Sequence, residues 1–73
     1  MPVTDFEAKA KGLLRAEMAR RSLTYQQLVD KLKEIGIGED EHNLRNKVAR
    51  GKFTAAFLLQ CLAAMGAREL RLD

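Results

Sequence analysis

Apolar positions recur at helical spacing in four stretches of the chain. Phe6, Ala10, Leu13, Leu14 and Met18 fall three or four apart, predicting a first helix to about Arg21 with one apolar stripe. Thr4 stands where an N-cap belongs, and Glu7, three residues on, completes a capping box. Gly12 costs about 1 kcal/mol of propensity inside this helix, so a close helix crossing is expected there. A second start is written "LTYQQL": Thr24 caps, Gln27 closes the box, and Leu23 with Leu28 form a hydrophobic staple. Leu28, Val29, Leu32 and Ile35 make its inner face, and Gly36 stops it. After "IGIG", Asp40 is the expected cap of a third helix, residues 40–50, with Gly51 as the left-handed residue that ends it. The fourth opens at Thr54, carries a Phe53–Leu58 staple, runs through Leu62 and Met65 and ends at Gly66. It is apolar nearly all round, which suits a core position or a subunit interface. The tail "RELRLD" alternates Leu70 and Leu72 with charges, as a short strand or a fraying end would.

The expectation is therefore an all-α, compact four- to five-helix bundle in one domain, residues 1–73. At this size only about 60% of the unfolded surface is buried on folding, leaving no room for a second core. Hydrophobic residues at 47% and charged ones at 32% are a globular composition. One cysteine, Cys61, excludes an internal disulfide. No apolar run approaches the roughly 20 residues that cross a bilayer, and "MPVTDFEAKA" is not a signal peptide, so a cytoplasmic protein with no membrane partner is the default.

Charge changes the picture through its distribution. Residues 30–41 carry two cations and five acids, whereas residues 45–52 carry four cations (Arg45, Lys47, Arg50, Lys52) and no acid. If Leu44 and Val48 face the core, 100° per residue turns Asn46 straight outward. Asn43, His42 and Arg50 lie close to that line, with Arg45 and Lys47 on its flanks. Asn pairs with adenine edges and Arg with guanine edges in the major groove, while flanking cations neutralise phosphates. The plain alternative is a solvated helix face. Against it, solvated faces mix both signs and this one carries a single sign.

The stretches "LLRAEMARRSLTYQQLVDKL" and "NLRNKVARGKFTAAFLLQCLAAMG", about residues 12 to 67, resemble the helix-turn-helix domain of Cro and lambda-repressor-like (XRE-type) regulators. The likeness is greatest to a small bacterial group of that fold whose function has not been assigned. The resemblance implies a lambda-repressor-like bundle in which the third helix enters the major groove. The chain departs from the pattern in having Tyr25 where Gln is usual, a longer link between helices two and three, and Leu44 one place off the usual core position.

Other candidates are weaker. His42, the lone histidine, has no orienting partner for catalysis and reads as a surface or DNA-contacting residue. Cys61 reads as a small buried hydrophobe. Glu39, Asp40 and Glu41 fit a helix start better than a cation loop. Tyr25 has two readings, a phosphate contact at a helix N-terminus or packing on the first helix. The expected function is a DNA-binding transcriptional regulator, not an enzyme, needing no cofactor or metal. Asn43, Asn46, Arg50 and His42 would read bases, and Arg45, Lys47, Lys52, Tyr25 and Gln26 would hold phosphates of double-stranded DNA. A homodimer would form through helix 54–65 or the tail. The rival is a helical protein-interaction module without DNA binding.

Overall fold

A computed structural model describes residues 5–72 and is all-helical, with no strand among them. The order is α1 (Phe6–Arg20), α2 (Tyr25–Glu34), α3 (Glu41–Arg50) and α4 (Ala55–Met65). α2 packs on α3 and α4, and α1 packs on α3 and α4. Their shared core holds Leu14, Leu28, Leu32, Leu44, Val48 and Cys61, all without exposure, with Met18, Val29, Phe57, Leu62 and Met65 around them. No helix among the described residues is long and apolar enough to cross a membrane.

The starts of three helices follow their sequence signals. Thr24 Oγ1 accepts from the Gln27 amide while Gln27 Oε1 accepts from the Thr24 amide, closing the box. Asp40 Oδ1 accepts from Asn43 N–H at 2.8 Å, and Thr54 Oγ1 from Phe57 N–H at 3.0 Å. At α1 the cap is Asp5, whose Oδ1 takes the N–H groups of both Glu7 and Ala8. Thr4, the expected cap, lies outside the described residues; Asp5 starts the helix one place later.

Three interior expectations are corrected. Phe6 does not join the apolar stripe but is 69% exposed. Counting back from Leu14 at 100° per residue puts Phe6 about 80° from it, well to the side of the buried line. Gly12 marks no helix crossing: it is exposed, and a Cβ there would meet nothing within 4 Å. Ile35 is 47% exposed. α2 ends in a Schellman turn in which Gly36 N–H donates to Lys33 and Ile37 N–H to the Leu32 carbonyl, which swings Ile37 onto the core instead. The same bonding ends α1, where the left-handed position is taken by Ser22 at φ 54°.

The close crossing is at Gly51. Its φ of +70° ends α3, and a Cβ would lie 2.9 Å from the Glu7 carbonyl carbon and nearer still to its oxygen. Beside it, Lys11 Nζ donates to the Ala49 carbonyl at 3.3 Å, placing a cation on the carbonyl-rich end of α3. α3 is thus seated against the first turns of α1 through backbone. The tail after Gly66 is irregular, with Leu70 on the core and Leu72 63% exposed.

Gly51 and Gly66 share a left-handed backbone, but a Cβ at Gly66 meets nothing within 4 Å. Gly66→Ala should therefore cost about 1 kcal/mol, the left-handed penalty alone. Gly51→Ala adds a backbone clash and should cost at least about 2 kcal/mol more, of the order of other strained or overpacked sites. Denaturant unfolding of the two variants measures the difference.

Candidate nucleic-acid interface

α3 is rolled by two aliphatic side chains. Leu44 and Val48 are both fully buried, so the helix can present only its other side. His42, Asn43, Asn46 and Arg50 are all exposed along it. On the crest, Asn46 Nδ2 and His42 Nε2 lie 3.2 Å apart, and Asn43 Nδ2 donates to Asp40 Oδ2 at 3.0 Å.

The flanking cations lean opposite ways. Arg45 turns toward α2, its guanidinium 5.3 Å from the Tyr25 ring centre, and pairs with Glu41 one turn back. Lys47 turns toward α4, 5.1 Å from the Phe57 ring centre, and pairs with Glu39 at 2.5 Å. The expectation of a face with one sign is therefore corrected: the link folds Glu39 back against Lys47, and Glu41, the first residue of α3, pairs with Arg45. Their pairing differs in kind. Arg45 and Glu41 are both well exposed, a pair worth about 0–1 kcal/mol that a phosphate can replace. Glu39 is only 10% exposed, so Lys47 is held more firmly. Arg50 and Lys52 have no acidic partner among the described residues. With Lys47 and Phe53 they line a recess at the end of α3.

Tyr25 is half-buried and lines a surface depression with Arg15, Met18 and Ala19 of α1, so its ring packs toward α1 and carries Arg45. Gln26 is exposed and donates to Asp30 Oδ1 at 3.1 Å. The sequence reading missed the Glu39–Lys47 pair, since eight residues and a turn separate the two. The Glu41–Arg45 pair had a usable signal, acid and base four apart on one helix.

The chain matches, over residues 6–70, the family described as a domain of unknown function, DUF6471. The chain belongs to that family. The description assigns this domain no activity and does not tie it to Cro-like regulators. No curated protein and no solved structure matches the chain significantly. Among the described residues of this DUF6471 domain, no three His, Cys, Asp or Glu side chains are placed to hold a metal ion.

Cys61, on α4, has no exposure. Burial pushes its thiol from 9.0 up to about 12; the Glu39 carboxylate adds to the rise and Lys47 opposes it. The folded value exceeds the unfolded one, so the stability from a neutral thiol is whole below pH 9.0 and lost as pH climbs toward about 12. At about pH 8 a thiol reagent should react with the native chain only as fast as it opens, and at once with the chain unfolded in guanidinium. Fast reaction of the native chain would contradict the burial of α4 against α1 and α2.

Proposed function

We propose that the chain is a DNA-binding protein, a regulator of transcription, in which α2 and α3 act as a helix-turn-helix and α3 lies in the major groove. The observation that carries this reading is the complete burial of Leu44 and Val48, with His42, Asn43, Asn46 and Arg50 exposed opposite them. The resemblance to Cro and lambda-repressor-like regulators over residues 12 to 67 supports the same arrangement. Asn43, Asn46, His42 and Arg50 face the bases in this reading. Lys52 and Arg45 face phosphates with Tyr25 and Gln26 beside them, and Lys47 is held mainly by Glu39 and the Phe57 ring. Such a regulator works in the cytoplasm, where bacterial DNA is.

One such helix reads few base pairs, so affinity calls for two copies on half-sites about 34–36 Å apart. The surface for pairing is α4 with the tail, where Leu59 is 64% exposed beside a groove of Leu58, Leu62, Ala63, Ala67 and Leu70. The same apolar groove, with Leu59 exposed at its edge, is what favours the second reading, a module that holds another protein.

Titration with random-sequence duplex at rising salt should give a log K slope of about −0.9 per phosphate neutralised. Lys52→Ala should make that slope shallower by about one phosphate while leaving the melting temperature unchanged, since its side chain is exposed and has no acidic partner among the described residues. No duplex binding even at low salt would transfer the function to the α4 surface.

A further inference from the structure

A second group of cations lies away from α3. Glu17 is the one buried charged side chain among the described residues, 4% exposed at the end of α1. Its Oε2 accepts from Arg20 Nη1, and its Oε1 accepts from Arg21 Nη1 at 2.5 Å. Arg21 Nη1 also reaches the Glu17 carbonyl at 3.3 Å. The two guanidinium groups hold the Glu17 carboxyl below its usual range. Past α4, Ala67 N–H donates to the Leu62 carbonyl at 2.9 Å, and Ala67 and Leu70 pack on the core. That bonding lays the tail across the end of α1, and Arg68, Glu69 and Arg71 line one recess with Glu17, Arg20 and Arg21.

The recess thus gathers four arginines and two glutamates, a net charge of +2. One carboxylate requires one guanidinium for neutrality, so this clustering exceeds what burying Glu17 demands. Arg68 and Arg71 have no acidic partner among the described residues. Like charges gathered this way repel unless an anion joins them. Each guanidinium has five N–H donors in a planar fork matched to phosphate oxygens, and Glu17 engages only one terminal nitrogen of each arginine that it holds. Glu17 therefore acts as a clamp: it fixes Arg20 and Arg21 without filling their donor capacity. The lining is entirely charged, with no apolar anchor of the kind a protein partner needs at the centre of its contact.

We propose that the recess between the last turn of α1 and the C-terminal tail binds a phosphate group, through Arg20, Arg21, Arg68 and Arg71. Its phosphate comes either from the DNA backbone or from a small phosphorylated ligand. The site shares no residue with the α3 surface and stands whether or not α3 reads DNA.

The test uses the full chain and the double variant Arg68→Ala/Arg71→Ala, whose exposed side chains leave the fold intact by melting temperature. Pyrophosphate is titrated calorimetrically at low ionic strength, and random-sequence duplex is titrated across salt. A small-ligand site predicts pyrophosphate binding that the variant weakens by about tenfold or more and that Arg50→Ala/Lys52→Ala leaves alone. A backbone site predicts a duplex salt slope shallower by about two phosphates in the variant. If the variant changes neither pyrophosphate affinity nor the duplex slope, the proposal is overturned, whatever the α3 variants show.

Discussion

The roll of α3 about its own axis is set by Leu44 and Val48, and the rest of the account depends on that setting. Each aliphatic side chain, once fully buried, contributes about 1.5–3 kcal/mol over leaving it in water. Rotating the helix by half a turn would forfeit both contributions and drive Asn46 into the core without partners. No surface pair in the chain competes with that sum, since exposed ion pairs contribute about 0–1 kcal/mol. The residues opposite are therefore displayed as a consequence of packing rather than by their own interactions.

Around that fixed axis the charges divide by task. Lys11 and Lys47 act as fasteners, one on the Ala49 carbonyl and the other between Glu39 and the Phe57 ring. Arg45 is intermediate, stacked on Tyr25 yet well exposed. Among the described residues, Arg50 and Lys52 remain without acids. The backbone crossing of Gly51 on Glu7 then locks the far end of the helix, so α3 is gripped at its start by a cap, along its length by the core, and at its end by α1. A helix held this way can meet a rigid partner surface without reordering, which lowers the entropic cost of binding.

What the sequence made legible was local. Thr24, Asp40 and Thr54 announce helix starts because a cap acts within four residues, and Gly51 and Gly66 announce ends for the same reason. What escaped it was set by tertiary geometry. Ser22 ends α1 in a conformation normally left to glycine. Ile37 displaced Ile35 because the turn, not the helical period, aims the chain there. Phe6 looked like core by spacing but falls off a line that only the position of Leu14 defines. The arginine recess around Glu17 was invisible because half of it arrives from the tail, some fifty residues along the chain. For the α3 surface, the outward row was readable from Leu44 and Val48, whereas the folding back of Glu39 onto Lys47 was not.

The most direct measurement is a backbone and side-chain amide spectrum of the nitrogen-15-labelled chain, recorded as duplex DNA is added at low salt. The account predicts shifts concentrated at His42, Asn43, Asn46, Arg50 and Lys52, including the side-chain amides of both asparagines, with Leu44 and Val48 still protected from solvent exchange. Shifts confined to α4, or exchange-labile amides at Leu44 and Val48, would contradict it.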